Sequence, residues 1–532
     1  SELARFALAE LAAQAELEQV LSLAEQFGLE TLDAEGFAMR YVQGVLLYQR
    51  VREAHDSEFP AAERDLIDQY AEAEAALTAA LDEPDAESFR RAAAGARKLV
   101  AYCRYFRGEF IDATDAFTAA SETLPRDEAM QSLWMAVVSL DKVASAGGSD
   151  ALQTRLRALI DRFLETYPDS PNAPQLVVRR ATLETPTDRE AVEAQLTSLL
   201  AIPPDDPSYR VAQREAARLL FRLYRAADAA ALRRDAHRYL SVALPQLPGS
   251  GSALPSEPEE IDAVVGRVRR ILEVALTDGI ERLVAAETAL RLADRLEAAA
   301  PDAIAPHRNE IRYRRIKAAL IQADLAAARD RLATARAGAP DDRWTQRGIE
   351  RVFQAAYDRS TNPDDTADRD DELTRRLVLD LGIALQRRAD DPERGLGFAE
   401  VAAEAGFELW RRHDDADAGR RAYAMYRDTL LAAQPRRADF LRGAALLAEP
   451  FDDPGTALEH WRALVQGLDA SERRWYEAKF NLIRLLALTD PHRAREVLEQ
   501  HKVLHPQLGP EPWNERFREL DETLPAASGG GA

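Results

Sequence analysis

Apolar side chains recur every three or four residues along almost the whole chain, which is the period of an amphipathic α-helix. Residues 8–27, for example, carry Leu8, Leu11, Ala15, Leu17 and Leu21 near one stripe, with Glu and Gln opposite. Sustained alternation of β-branched residues, the pattern of a strand, is missing from the sequence. Ala, Leu, Glu and Arg dominate, and all four are good helix formers. The chain is therefore predicted to be all-α.

Short breaks interrupt the helical pattern at residues 166–174, 201–209, 338–344 and 452–457. Each break combines Pro or Gly with Asp or Ser. Proline fixes φ and removes a backbone donor, whereas Asp and Ser cap the helix that follows. The pattern predicts helices of roughly 12 to 18 residues joined by short turns into antiparallel hairpins.

Longer breaks predict the domain organisation. Residues 244–260 are rich in Pro, Gly and Ser and are interpreted as a linker or long loop, and residues 360–372 as an acidic loop. We predict one α-solenoid at residues 1–243 and a second at residues 261–524 that ends in a capping helix. The last residues, 525–532, are predicted to be a flexible tail.

One spacing recurs within the helical segments. A small residue is followed four positions later by a large apolar residue, three positions after that by another residue of the same stripe, and then by a proline. The three regular copies are Ala113, Phe117, Ala120 and Pro125; Ala328, Leu332, Ala335 and Pro340; and Ala494, Leu498, His501 and Pro506. Two looser copies are Ala422 with Tyr426, whose Pro435 stands one residue late, and Ala457 with Trp461 and Leu464, which has no proline.

The spacing has a simple physical interpretation. The small residue lets two antiparallel helices approach closely, the large residue fills the groove to the next pair, and the proline ends the second helix. The copies resemble the tetratricopeptide repeat (TPR) family, whose unit carries the same A-x3-F…P signature in its second helix. They cover roughly 97–125 and 420–508, with another copy near 325–340, while the family's W-x2-L-G-x2-Y signature in the first helix is largely absent.

The resemblance implies a right-handed superhelix of stacked hairpins that binds a protein or peptide on its concave face. It also implies a final helix, Trp513 to Leu520, that covers the apolar end of the array.

Composition narrows the choice of partner. The 532 residues include 69 Lys and Arg against 91 Asp and Glu, a formal net charge of −22. Phosphate backbones are bound mainly by Lys and Arg, so nucleic acid is not an expected partner. Cys103 is the only cysteine, which excludes an intramolecular disulfide and a Cys-based zinc site.

No run of about 18 apolar residues predicts a membrane span. The richness in Ala and Arg suggests a bacterial source. Because the chain starts at Ser1, a cytoplasmic location and an exported one after signal-peptide removal both stay open.

Few residues suggest a catalytic, cofactor-binding or metal-binding site. The sequence lacks the phosphate-binding loop, dinucleotide, nucleophile-elbow and metalloprotease motifs, so no cofactor and no catalytic activity are predicted. His501 and His505 stand four residues apart and are a weak metal candidate, because no Glu accompanies them and Pro506 follows. Asp415 and Asp417 resemble the start of a calcium loop, but capping of a helix is the favoured interpretation.

Arginine residues on the segment 310–337 allow two interpretations. Arg312, Arg315 and Arg329 could line a groove for an acidic peptide, or they could form surface salt bridges with the interleaved acids.

The favoured hypothesis for function is a non-catalytic protein-interaction scaffold, based on the repeat and on the missing catalytic motifs. Two alternatives stay open. One is an all-α polysaccharide lyase or glycosidase toroid, and the other is a structural subunit of an envelope-associated or multi-chain assembly.

Overall fold

The computed structural model describes residues 35–147, 149–183, 186–361 and 372–524, together with Gln19, Leu21, Ser22 and Gln26. The predicted tail at 525–532 and most of the acidic loop at 360–372 lie outside these ranges. Throughout the described residues the regular structure is helical, with no strand. The predicted all-α class is confirmed.

The described residues fall into two compact units whose boundary lies between Gln246 and Leu247. The N-terminal unit consists of ten helices in the part of it that is described. They are α1 Phe37–Ala54, α2 Arg64–Leu81, α3 Arg90–Phe106, α4 Phe110–Ser121, α5 Arg126–Ser145, α6 Asp150–Thr166, α7 Ala173–Leu183, α8 Arg189–Leu200, α9 Tyr209–Arg225 and α10 Leu232–Ala243.

The C-terminal unit continues the hairpin arrangement. Its helices are α11 Pro258–Ala275, α12 Leu283–Ala299, α13 Arg308–Ile321, α14 Leu325–Gly338, α15 Arg343–Thr361, α16 Glu372–Gln386, α17 Pro392–His413, α18 Ala416–Met425, α19 Ala438–Phe451, α20 Pro454–Gly467, α21 Arg473–Thr489, α22 Pro491–Leu504 and α23 Trp513–Thr523. A π-helical turn, Tyr426–Leu430, prolongs α18.

The loop between α10 and α11 is shorter than the segment 244–260. Leu244–Gln246 forms a 3₁₀ turn, and α11 already begins at Pro258, inside the 244–260 segment. The loop between them is held by Arg295 of α12, whose guanidinium donates to the carbonyls of Gly249 at 2.8 Å and Ser252 at 2.6 Å.

Asp-Pro pairs start three of the helices. Asp391, Asp453 and Asp490 each accept a hydrogen bond from a backbone N–H in the first turn of α17, α20 and α22. The proline that follows stands at a first-turn position, where a missing N–H costs nothing. The Pro-containing breaks in the sequence are thus helix starts as well as stops.

The repeat positions are the packing positions of the hairpins. In α4, Ala113, Phe117 and Ala120 are fully buried. The equivalent residues of the other copies are at most 9% exposed: Ala328, Leu332, Ala335, Ala422, Tyr426, Ala457, Trp461, Leu464, Ala494, Leu498 and His501. The small-then-large pattern therefore marks the second helix of each of these hairpins.

The prolines of the pattern do not pack. Pro125, Pro340 and Pro506 belong to the repeat pattern together with the buried residues, but all three are exposed. They follow the ends of α4, α14 and α22 by two to four residues. Their effect is on the backbone, since proline cannot continue a helix.

The turn between the two helices of a hairpin also repeats. Gly108 has φ of 81°, and Ala323, which stands at the same distance before its repeat alanine, has φ of 57°. The next residue then donates back to the first helix: Glu109 to Arg104 at 2.9 Å and Asp324 to Ala319 at 3.0 Å. This is the left-handed C-terminal cap of a helix, which two unrelated residues adopt because the hairpin geometry requires it.

Substantial helix–helix contacts in the described chain join helices one or two places apart in sequence. Apolar clusters follow one another along each unit rather than forming one central core. Contacts limited to neighbours are the mark of a repeat array. The fold of the described residues is TPR-like.

The last described helix packs against α21. In α23, Trp513 and Phe517 are buried, and their ring centroids lie 5.7 Å and 5.5 Å from that of Phe480 in α21.

Within the described ranges, none of the helices combines the length and the apolar character needed to cross a membrane.

Candidate functional site

A groove of about 460 Å³ runs across the first helices of three consecutive hairpins, α17, α19 and α21. It is lined by Glu400, Glu404, Phe407 and Glu408 of α17, Asp439, Phe440, Arg442 and Gly443 of α19, Arg474 and Glu477 of α21, and Tyr426. Tyr426 is the one contribution from a second helix. We call this surface the carboxylate groove.

Ion pairs join the successive first helices along this surface. Because stacked hairpins repeat about every 35 residues, side chains one repeat apart face each other. The pairs are Glu400–Arg437 at 2.5 Å, Asp439–Arg474 at 2.7 Å, Glu477–Arg442 at 2.8 Å and Glu449–Arg484 at 2.5 Å. Such half-exposed pairs add little stability each, but they neutralise most of the carboxylates in the groove.

Glu404 lies at the centre of a run of three glutamates, Glu400, Glu404 and Glu408, one helical turn apart on α17. Its neighbours are paired, Glu400 with Arg437 and Glu408 with Arg411 and Arg412. Glu404 has no such partner among the described residues.

The surroundings of Glu404 act on its ionisation. Partial burial in the groove raises the pKa of the Glu404 carboxyl, and the charges of Glu408 and Glu400 raise it further. The side chain is nevertheless exposed, and the charge of Arg375 lowers the pKa in part. Glu404 is therefore a carboxylate without a direct ion pair among the described residues, and it would gain from a cation placed against it.

Tyr426 supplies a second polar group. Its side chain is only 9% exposed, and its hydroxyl has no hydrogen-bond partner within the described ranges. Burial raises the pKa of the Tyr426 phenol, and so do the charges of Glu404 and Glu400. The hydroxyl thus faces the same carboxylates that line the groove.

The π-helical turn explains how a second helix delivers a side chain to this surface. The Tyr426 copy of the repeat has one residue more before its proline than the regular copies have. A π turn is the way a helix absorbs one inserted residue, and Tyr426–Leu430 is that turn. Tyr426 opens it and projects between α17 and α19.

Gly443 makes room for the Tyr426 ring against α19. A Cβ at this position would meet the Tyr426 ring at 2.4 Å from Cζ and 2.6 Å from Cε1. The tyrosine ring consequently lies directly on the backbone of α19, which any larger residue would prevent.

Gly443→Ala is expected to destabilise the C-terminal unit by about 1–3 kcal/mol, because the added methyl overlaps the tyrosine ring. The control is Gly397→Ala in α17, where the added Cβ meets nothing within 4 Å. That change should be neutral or stabilise by about 0.5–1 kcal/mol, the usual gain from Gly to Ala in a helix. Urea unfolding of both variants checks the pair, and equal shifts would contradict the close packing.

Two of the three arginines considered as a peptide groove are engaged in ion pairs. Arg315 of α13 is paired with Asp294 of α12, and Arg329 of α14 is paired with its neighbour Asp330 at 2.8 Å. Arg312 lies near Gly338 at the end of α14. The surface salt-bridge interpretation fits Arg315 and Arg329, since both guanidinium groups are already engaged.

The two histidines lie in an aromatic cluster at the end of the array. The His501 and His505 ring centroids are 5.0 Å apart, and the centroid of the His501 ring lies 4.4 Å from that of Phe517 of α23, with the two planes tilted by 33°. His501 is 1% exposed, and the Tyr476 hydroxyl lies 3.3 Å from Nδ1 of His505. Over the part of the chain that is described, no group of three or more potential metal ligands occurs. The weak metal proposal for this pair gains no support.

The aspartates that resemble a calcium loop serve as a cap. The Asp415 carboxylate accepts from the backbone N–H groups of Asp417 and Ala418 at the start of α18. These backbone hydrogen bonds, led by that of Ala418, lower the pKa of Asp415. The capping interpretation accounts for the residue without a metal.

Comparison with known proteins finds only distant likeness. No family model matches the chain, and no curated protein matches it either. Among solved structures, similar chains include one of the APC/C hetero-tetramer Cut9–Hcn1 (13% identity, 95% of this chain, 87% of that one, TM-score 0.22), one of the Naa15/Naa10 complex bound to HypK-THB (13%, 96%, 90%, 0.21) and yeast Tom70 (14%, 90%, 94%, 0.20). TM-scores this low transfer neither a binding surface nor a partner.

The carboxylate groove is the feature that sequence reasoning missed. With 91 acidic residues, neighbouring carboxylates carry no information by themselves. The sequence does contain a usable signal, because three of the ion pairs join residues that are 35 positions apart. These pairs are Asp439–Arg474, Arg442–Glu477 and Glu449–Arg484. That spacing equals the distance from Ala422 to Ala457, so it marks positions that face each other across adjacent hairpins.

Proposed function

We propose that this chain is a non-catalytic scaffold that binds a segment of a partner protein along the first helices of its C-terminal unit. The observation that carries the proposal is the carboxylate groove, which continues across three hairpins instead of closing around a small molecule. A surface made of several repeats is suited to an extended ligand, because each hairpin adds one further contact site.

An enzymatic role receives less support from the same groove. A glycosidase or lyase needs a pair of carboxylates, or a Tyr or His base, poised to act on a substrate. Here four of the five lining carboxylates are held in ion pairs with arginine, and none of the residues that line the groove is a histidine. The one lining tyrosine, Tyr426, is a poor base, because burial and the charges of Glu404 and Glu400 raise the pKa of its phenol and keep it protonated. Membership of a multi-chain assembly is compatible with the proposal, since a scaffold can be such a subunit.

Site-specific photo-cross-linking tests the binding face. A photoreactive amino acid is placed at Arg474 of α21, on the groove, or at Arg462 of α20, a matched exposed arginine on a second helix. Irradiation in cells that produce the chain should give a reproducible cross-linked partner from position 474 and little from position 462. Equal cross-linking at both positions, or none at either, would overturn the proposal.

A further inference from the structure

We propose that the carboxylate groove takes a cationic side chain, lysine or arginine, from an extended segment of the partner, between the Glu404 carboxylate and the Tyr426 hydroxyl. This inference rests on the proposed scaffold function and specifies the chemistry of its ligand.

The one lining carboxylate without an ion pair favours a cation. Five carboxylates line the groove, and arginines pair with four of them, so Glu404 is the lining carboxylate without a direct ion pair among the described residues. The arginines are already committed, Arg442 to Glu477 at 2.8 and 2.9 Å and Arg474 to Asp439 at 2.7 Å. A ligand cation would therefore meet Glu404 without displacing an existing ion pair, and its charge-assisted hydrogen bond would be the strong kind.

Tyr426 points to the same ligand by an independent route. The side chain is nine-tenths buried, yet its hydroxyl has no hydrogen-bond partner among the described residues and opens onto the groove, where solvent or a ligand can pair with it. Two features hold the Tyr426 side chain at this position. One is the π turn that begins at Tyr426, and the other is Gly443, which has no Cβ and lets the tyrosine ring lie on the backbone of α19. An ammonium or guanidinium group at Glu404 would donate a hydrogen bond to the tyrosine oxygen and satisfy it.

One aromatic wall fits the rest of such a side chain. Phe407, which is half-buried, lines the groove on the same helix as Glu404. Phe440 also lines the groove, but it is only 1% exposed and the Arg437 guanidinium already lies 4.2 Å from its ring centroid. A methylene stem can pack on a ring such as that of Phe407, and the cation is attracted to its face.

The length of the groove favours a protein segment over a free amine. It crosses three first helices, which at 8–10 Å per helix spacing is on the order of 20 Å. An extended chain covers this with about six residues. A small amine would occupy only the Glu404 position and leave the remaining length empty.

Peptide titration of the full chain tests the inference. The probe is a fluorescently labelled eight-residue peptide, blocked at both ends, with lysine alternating with glycine, and its affinity is followed by anisotropy at low ionic strength. Glu404→Gln should weaken binding about tenfold and Tyr426→Phe about fivefold, since each removes one hydrogen bond to a charged group. Glu459→Gln on the second helix α20 changes the net charge equally and should weaken binding less than about twofold.

Each outcome has a defined meaning. Equal weakening by Glu404→Gln and Glu459→Gln would mean general attraction to an acidic chain and would overturn the inference. So would equal binding of the same peptide with glutamate in place of lysine, or competition by spermidine at the same concentration as the lysine peptide. If the peptide fails to bind while the cross-link at position 474 persists, the cationic assignment is wrong and the scaffold function stands. Circular dichroism of the two near-isosteric variants verifies that they fold.

Discussion

Replacing Phe117 with alanine should reduce the free energy of unfolding around α3–α5 by about 3–5 kcal/mol, the usual cost of deleting a buried phenyl group. Phe117 is fully buried, and its ring meets that of Tyr102 edge-on at 4.9 Å. The backbone carbonyl of Phe117 also accepts from the Ser132 hydroxyl of α5 at 2.9 Å. The residue thus sits where one hairpin joins the next, and the cavity cannot collapse without shifting both.

Native-state hydrogen exchange on peptides from residues 90–145 is the appropriate measurement, because repeat arrays open locally and global unfolding need not be two-state. The control is Ile111→Ala, on the same helix but with its side chain 43% exposed. Its effect should stay below about 1 kcal/mol. If both variants changed exchange equally, Phe117 would not be the packing residue of this hairpin.

Lowering the pH from about 6.5 to 4 should cost the C-terminal end of the array roughly 3 kcal/mol through His501 alone. Burial, together with the positive charges of His505 and Lys479, lowers the pKa of His501 to about 4. No hydrogen bond of good geometry satisfies either ring nitrogen. The Leu508 backbone nevertheless lies close enough to oppose part of the shift.

The sign follows from the two pKa values. The unfolded chain takes up the proton near pH 6.5, whereas the folded chain resists it down to about pH 4. The stability that the neutral His501 ring contributes is fully present above about pH 6.5, and it is lost as the pH falls from about 6.5 to about 4. At 1.36 kcal/mol per pKa unit, the difference amounts to roughly 3 kcal/mol.

His501→Phe isolates this contribution, since phenylalanine keeps the aromatic contacts with Phe517 and Trp475 and cannot be protonated. Urea unfolding of both proteins at pH 7 and pH 4.5, followed by tryptophan fluorescence, gives the comparison. Because carboxylates titrate in both proteins, their contribution cancels in the comparison. The wild type should lose more stability than the variant at pH 4.5, and the difference is the contribution of His501. Identical pH slopes would contradict the buried neutral histidine.

The fold could be predicted because its rules are local. The spacing of Ala113 and Phe117 reports how one helix packs on its hairpin partner, and Gly108 falls where the turn requires a left-handed residue. The prolines of the pattern mark helix ends and not packing positions, since Pro125, Pro340 and Pro506 follow α4, α14 and α22 and are exposed.

The carboxylate groove could not be predicted in the same way. Its residues come from three hairpins, and which side chains face each other depends on the register between hairpins. The extra residue after Tyr426 was visible in the sequence, but whether it lengthens a loop or forms a π turn depends on packing against α19. The ion pairs of Arg315 and Arg329 could not be predicted either. Asp294, the partner of Arg315, lies in the preceding hairpin, and an acidic neighbour in sequence such as Asp330 does not by itself indicate an ion pair with Arg329.

Hydrogen exchange of the full chain with and without the lysine peptide tests the central claim most directly, because it maps binding onto helices. The account predicts slower exchange in α17, α19, α21 and the turn at Tyr426–Leu430, with α20 and α22 unchanged. Protection centred on the second helices α20 and α22, at peptide concentrations that saturate the anisotropy signal, would contradict it.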